Sequence, residues 1–222
     1  MAALDSPHWE AVTPALQEVL SLLHPFYLAG GTALALRLGH RISQDLDLFA
    51  NIETMDDDLR RGIVSELRQE QAVEIVQDSV LGLVLHVNGQ PVSLFSYGYS
   101  LLAPTDSVGG VQVAGLLDIG LMKLDAVVGR GTRKDFYDLY FIAPLISLDE
   151  LLARSSDKYV DSRGLIMQVL TALVDFDIAE RQDEPRMLHP VDWTQIKAFF
   201  LAEARRLGRR WLDITEYKDV LP

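Results

Sequence analysis

Hydrophobic and polar positions change period along this chain, and each change marks an element. Thr13 and Pro14 supply a cap and a first-turn proline, so the spacing predicts a helix from there to about His24, ended by Pro25. Phe26 to Ala29 is a short apolar run that reads as a buried strand. Gly30 and Gly31 then turn the chain, and Thr32 occupies an N-cap position ahead of the helix formers Ala33 to Leu38. After a loop from Gly39 to Gln44, Asp45-Leu46-Asp47-Leu48-Phe49 alternates strictly. That is the period of a strand, with both carboxylates on one face and Leu46 and Leu48 on the other. Thr54 with Asp57 has capping-box spacing, opening a helix whose buried stripe is Leu59, Ile63 and Leu67.

Strand periods follow at Val73 to Val76, Leu81 to Val87 and Pro91 to Phe95. Asp78-Ser79 and Asn88-Gly89 supply the turns between them, the second a strong hairpin signal. Leu101 to Val113 reads as a loop that ends in a short strand, Val111 to Ala114. Asp118 caps a helix through Val128, Gly129 to Gly131 interrupts it, and Thr132 begins the next. From about Ser147 the chain reads as helical: a capping box at Ser147 and Glu150, an amphipathic stretch from Gly164 to Val174, and a helix from Asp192 through Leu207. The order predicts an α+β fold, a mixed sheet flanked by helices and followed by a helical C-terminal part. We divide it into an α/β domain over residues 1–115 and a helical region over 116–222.

Length and composition set bounds without choosing a function. A chain of 222 residues, 49% hydrophobic and 23% charged, can bury a substantial core in one or two domains. The absence of cysteine removes disulfides, thiol nucleophiles and thiolate metal sites, and fits a cytoplasmic protein. No apolar run approaches membrane-spanning length, and the N-terminus lacks a signal-peptide pattern. A net charge of −12 disfavours tight non-specific binding to nucleic acid. The densest basic cluster is Arg205-Arg206 with Arg209-Arg210, and smaller ones are Arg60-Arg61 and Arg133-Lys134; each reads as a solvated helix face.

The candidate chemistry lies in the stretch from Tyr27 to Phe49. Asp45 and Asp47 on one face of a strand repel each other, and a divalent cation removes that cost. Mg²⁺ is typically held by one or two carboxylates together with substrate phosphates. The glycine turn into a helix N-terminus offers backbone N–H groups to those phosphates. One stretch thus holds both halves of a nucleotide–metal site. The alternatives are a pair of surface carboxylates on an edge strand and an ordinary tight turn.

Gly30-Gly31-Thr32, a short helix, then Asp45-x-Asp47 resembles the signature of the polymerase-β-like nucleotidyltransferases. With His40, Arg41 and Ser43 in between, it is similar to the narrower AbiEii/AbiGii nucleotidyltransferase toxin family of abortive-infection and toxin–antitoxin systems. Leu117 to Ile142, with Lys123, Arg130, Asp135 and Asp138, matches a second segment of that family. The likeness spans roughly residues 26–142 and implies an enzyme that moves a nucleoside monophosphate from an NTP to an acceptor hydroxyl, a tRNA 3′ end or a protein. It implies Mg²⁺ (or Mn²⁺) on Asp45 and Asp47, and a triphosphate cradled by Gly30, Gly31 and Thr32 with Arg41 and Ser43. Lys123 would hold the triphosphate, and Asp135 or Asp138 would orient Lys123 or act as a base. A cognate antitoxin is the implied partner.

Each residue of the second segment also has a plain reading. Asp135 completes a capping box with Thr132, Asp138 is an exposed partner for Lys134, and Lys123 with Asp125 and Arg130 forms a polar helix face. The pattern departs from the wider superfamily at one position. The strand that often carries a third carboxylate, Pro91 to Phe95, has Ser93 and no acid. That keeps a catalytically degenerate binding module, or an antitoxin, as the alternative function. A metal-dependent phosphohydrolase ranks last, because His24, His40, His86 and His189 have no metal-ligand spacing.

Overall fold

In the computed structural model of the chain, residues 7–12, 26–159 and 164–211 are described. The helix expected from Thr13 to His24 lies outside them. The chain forms two compact units, Met1–Ile119 and Gly120–Pro222. Among the described residues, no helix is long and apolar enough to cross a membrane.

The first unit is built on a mixed seven-stranded sheet of β1 (Tyr27–Leu28), β2 (Leu46–Ala50), β3 (Val73–Ser79), β4 (Gly82–Val87), β5 (Gln90–Ser96), β6 (Asp106–Val108) and β7 (Val111–Val113). Their order across the sheet is β3-β4-β5-β2-β1-β7-β6. β3, β4 and β5 form an antiparallel meander, β5 lies parallel to β2, and β2 is antiparallel to β1. β2 and its neighbours alternate as a half-buried sheet requires. Leu46, Leu48, Leu28, Leu83, Leu85, Val92 and Leu94 are fully buried, while Asp47, Phe49 and Ser93 stand on the more open face. The α+β class expected from the period changes is the class observed.

Several boundaries differ from expectation, each for a local reason. The first helix, α1 (Gly30–Leu38), begins at the glycines themselves, with Ala29 as an extended N-cap. Thr32 is therefore inside the first turn, and its hydroxyl donates elsewhere. Gly30 sits at φ +64°, which lets the chain swing from strand to helix without an intervening loop. Helix α2 (Asp57–Leu67) is capped by Asp56, whose carboxylate accepts from the Leu59 N–H at 2.8 Å, so Thr54 is not its cap. Its buried face is Arg60, Val64 and Leu67: Leu67 is where the expected stripe put it, while Arg60 and Val64 replace Leu59 and Ile63, with Arg60 drawn inward by Asp57, Asp78 and the Met55 carbonyl. β3 runs through Asp78 and Ser79, leaving the reversal to Val80 and Leu81. Asn88-Gly89 turns as expected, both residues at positive φ.

The stretch read as a loop holds a second hairpin, β6 and β7, turned by Gly109 and Gly110 at φ +56° and +85°. Arg37 of α1 fixes it. The guanidinium donates to the Ala114 carbonyl at 2.8 Å and meets the Asp106 carboxylate at 2.5 Å. Helix α3 (Leu116–Gly129) starts before Asp118, so Asp118 does not cap it. The Asp118 carboxylate instead accepts from the Leu102 and Ala103 N–H groups at 3.0–3.1 Å, anchoring that loop.

The second unit is helical: the rest of α3, then α4 (Arg133–Ile142), α5 (Leu148–Lys158), α6 (Leu165–Ala172) and α7 (Trp193–Trp211). Ser147 caps α5 through the Glu150 N–H as expected. Helix α4 is buried on two sides. Phe136 packs against Phe176, Trp193 and Phe200 with ring centroids 5.1–5.9 Å apart, and Tyr137 stacks on Trp193 at 5.8 Å. Gly120 on α3 abuts Leu151, close enough that a Cβ would lie 2.8 Å from a leucine methyl. These contacts hold α4 in place, and its polar residues with it.

Candidate functional site

In the first unit, the sequence-predicted residues converge around the start of α1. No side chain caps this helix, and the first amides of any α-helix lack intrahelical partners. The Thr32 hydroxyl ties this turn to the loop before β2, donating to Ser43 Oγ at 2.7 Å and contacting the Asp45 carbonyl. Ser43 is held from the other side, its N–H donating to the Ala11 carbonyl at 2.9 Å beside a Val12–Ser43 bridge. Asp47 leans over Gly30: a Cβ on that glycine would lie 3.1 Å from Asp47 Oδ2. Arg41, 5% exposed, fills the space above Gly31, so that a Cβ there would run into its guanidinium.

A helix N-terminus, a carboxylate and a buried guanidinium thus share one small volume. The glycines are there because any side chain would occupy it. Gly31→Ala is expected to displace Arg41 and to lower nucleotide affinity by at least about tenfold, with a modest fall in melting temperature. Titration calorimetry with a triphosphate measures the first effect, and wild-type affinity in the variant would contradict it.

The two aspartates are not equivalent. Asp47 is on β2 and half-buried, whereas Asp45 stands one residue ahead of the strand and is exposed. Across the sheet, Asp47 pairs in register with Ser93 of β5. Parallel neighbours in register share a face, so Ser93 occupies the place where a third carboxylate would sit. Among the described residues, no group of three or more histidine, cysteine or acidic side chains is placed to hold a metal ion. The donor set therefore fits a hard cation that takes one or two carboxylates and draws its other ligands from phosphate and water. It does not fit a metal held by protein alone. His40, fully buried, is a packed residue of this loop.

In the second unit, Lys123, Asp135 and Asp138 form a buried ionic cluster. Asp135 and Asp138, three residues apart on α4, share a helix face and are both 0% exposed. The Lys123 ammonium lies 2.9 Å from Asp135 Oδ1 and 2.6 Å from Asp138 Oδ2. Arg130 adds two hydrogen bonds to Asp135, both at 2.9 Å, from a guanidinium that is 53% exposed, and the Thr132 hydroxyl donates to the same carboxylate. None of the plain readings describes this arrangement. Asp138 is buried and not exposed, Lys123 is not a solvated face, and Asp135 is more than half of a capping box. Arg130, absent from the expected site residues, belongs to the cluster. Its only sequence signal was its place in the family-like segment.

Burial alone would push the Asp135 carboxyl up. The Lys123 charge, with the hydrogen bonds and charge of Arg130 and the Thr132 hydroxyl, outweighs it and holds Asp135 well below the usual carboxylate range. Held that low, Asp135 is a weak base, and its setting fits the orienting of Lys123. A depressed native pKa gives stability that is present above the unfolded value, near pH 4, and is lost as pH falls toward the native one. Unfolding midpoints measured between about pH 5 and pH 2 are expected to drop for the wild type. They should drop less in a variant with Asp135→Asn, whose starting stability is lower.

Comparison with known proteins gives the family and supports the fold. The model of the nucleotidyl transferase AbiEii toxin family, of type IV toxin–antitoxin systems, matches residues 15–81 and 91–216. Uncharacterized protein aq_aa25 of Aquifex aeolicus (strain VF5) is 34% identical over 194 residues, covering 84% of this chain and 90% of that protein. MenT4, a nucleotidyltransferase toxin from Mycobacterium tuberculosis H37Rv, has a similar fold, with a TM-score of 0.58 at 20% identity over 90% of this chain and 89% of that one. JHP933 from Helicobacter pylori gives a TM-score of 0.51 at 18% identity over 89% and 90%. The extent of the family match carries the assignment, and the two solved structures carry the fold: the chain belongs to the AbiEii nucleotidyl transferase toxin family.

Proposed function

We propose that this protein transfers a nucleoside monophosphate from an NTP to an acceptor hydroxyl, and that it acts as the toxin of a pair with a cognate antitoxin. The observation that carries the reading is the crowding of Asp47, Arg41 and the uncapped start of α1 around Gly30 and Gly31. The triphosphate lies against the first amides of α1, with Thr32 and Ser43 framing the turn and Arg41 neutralising phosphate charge. Asp45 and Asp47 would hold Mg²⁺ or Mn²⁺, which supplies charge neutralisation on the phosphates when bound. The acceptor oxygen attacks the α-phosphorus in line. A new oxygen–phosphorus bond forms, the bond to the pyrophosphate oxygen breaks, and the acceptor proton leaves to solvent or a base. Catalysis is then positioning and electrostatics more than covalent chemistry.

Lys123 is proposed as a phosphate-neutralising cation, with Asp135 and Asp138 aiming its ammonium. A flexible point charge gains precision when two fixed carboxylates share it. Calorimetry with each of the four triphosphates, with and without Mg²⁺, tests the binding half of the reading. Metal-dependent binding that Asp47→Ala removes is the expected result, and no binding of any triphosphate would sink it.

One observation favours a second reading. Ser93 beside Asp47 leaves the carboxylate set one short of the fuller superfamily arrangement. A binding module without transfer activity is that reading, and it predicts triphosphate binding with no label transferred.

A further inference from the structure

β3 is the outermost strand of the sheet, with β4 on one side and, among the described residues, no strand on the other. It and the turn after it hold four large apolar side chains that water reaches: Ile75, Val76, Val80 and Leu81 are 41–62% exposed. An edge strand presents a row of backbone N–H and C=O groups to another chain, and a cluster of exposed apolar side chains marks a contact surface. The surroundings of this edge say what kind of chain it suits.

A cavity of about 360 Å³ opens between α2 and β3, with Arg60, Arg61, Val64, Arg68, Ile75 and Asp78 among its walls. The register of β3 builds it. Ile75 pairs with the buried Leu85 and, after a register shift, Asp78 pairs with the buried Leu83, so both face α2. Asp78 is taken by Arg60, whose guanidinium donates to it at 2.5 Å. Val64 and Ile75 supply apolar surface. Arg61 and Arg68, seven residues apart, share one side of the helix, and both are exposed. Arg61 pairs at the surface with Asp58 at 2.8 Å and Asp57 at 3.9 Å, contacts worth little and readily exchanged.

A strand added beside β3 hangs every second side chain over this cavity. An apolar side chain suits Val64 and Ile75, and carboxylates on either side of it suit the guanidiniums of Arg61 and Arg68. A second copy of this chain fits poorly. A two-fold pairing of β3 with β3 about Val76 sets Glu74 opposite Asp78 twice, and like charges directly opposite are destabilising. Each copy also carries a net charge of −12.

We propose that the α2–β3 edge takes an extended segment of a protein partner as a further strand, one whose side chains toward α2 are an apolar residue flanked by acidic ones. The inference stands on α2 and β3 alone and does not rest on the transferase reading. Backbone pairing supplies the affinity, and the alternate side chains over the cavity supply the choice of partner.

The test is binding of a labelled peptide, Thr-Glu-Thr-Val-Thr-Glu-Thr, to the full chain, followed by anisotropy. The wild type should bind it, and amide hydrogen exchange should slow along β3 but not along β6, the opposite edge of the sheet. The peptide Thr-Thr-Glu-Val-Glu-Thr-Thr keeps composition and charge but turns its glutamates to the other face, and it should bind at least about tenfold more weakly. Arg61→Gln/Arg68→Gln should weaken binding of the first peptide by at least about tenfold, the joint worth of two rim ion pairs. Both sites are exposed, so this variant should fold, which its melting curve checks. Methylating the peptide's backbone nitrogens should abolish binding to the wild type, a result that needs no variant. No binding by the wild type up to about 1 mM, equal binding of the two peptides, or unchanged exchange along β3 would each overturn the proposal. So would a dimer of the chain, seen by sedimentation, that Val76→Lys dissolves.

Discussion

Replacing Lys123 by methionine is expected to destabilise the helical unit by about 3–5 kcal/mol, the usual consequence of removing one partner from a buried ion pair. The side chain is of similar length, so packing changes little and charge dominates. Asp138 loses the ammonium 2.6 Å away, and Asp135 keeps Arg130 on both oxygens and Thr132 on one but loses the Lys123 charge at Oδ1. Both carboxylates are 0% exposed, so water cannot take over. Urea unfolding measures the loss. Adding Asp138→Asn to the variant should recover part of it, because one of the stranded charges is removed. A Lys123→Met protein within 1 kcal/mol of wild type would show that the cluster is not the ionic unit described here.

The second large effect is kinetic. Asp47→Asn is expected to lower transfer by at least about 100-fold while leaving the melting temperature within a few degrees. The asparagine keeps the shape that leans over Gly30, so α1 and β2 stay packed, but it removes the charge proposed to hold the metal. Asp47 is half-buried on the open face of the sheet, and the inward residues Leu46 and Leu48 are untouched. Asp45→Asn should cost less if Asp47 is the principal ligand, as its place on the strand favours. Single-turnover rates over a range of Mg²⁺ concentrations check both variants. A rate in Asp47→Asn that saturates at the wild-type value would remove the residue from the metal site.

What the sequence made legible follows from where local and non-local forces agree. The strand alternation around Asp47 and the Asn88-Gly89 turn are fixed by period and by backbone freedom, and both are found in place. Capping choices were less legible. Thr32, Thr54 and Asp118 all carry side chains that cap helices, but each had a competitor that no local pattern reveals. Thr32 is taken by Ser43 and the Asp45 carbonyl, Thr54 is displaced by Asp56, and Asp118 reaches back to the loop at Leu102. β7 was read as a short strand, but its partner β6 was hidden, because three residues, Asp106–Val108, are too few to show a period and Arg37 helps to hold them.

For the candidate site, the residues of the first unit were legible as a motif, but their packing was not. That Arg41 fills the space over Gly31 is a contact ten residues apart, invisible to spacing. The cluster on α4 was ambiguous for a physical reason. Lys, Asp and Arg at helical intervals describe a solvated face and a buried ionic network equally well. The aromatic residues between them, Phe136 and Tyr137, pack into the helical core, so the turn that carries Asp135 and Asp138 is buried while Arg133, Lys134, Tyr140 and Phe141 stay partly exposed.

Label transfer is the most direct measurement. Purified protein with Mg²⁺ is incubated with bulk tRNA and each of the four labelled nucleoside triphosphates in turn, beside Asp47→Ala, and the products are resolved on a gel. Label on RNA from one triphosphate, absent in the variant, is the predicted result. Label on neither RNA nor protein from any of the four, by a protein that still melts cooperatively, would contradict it.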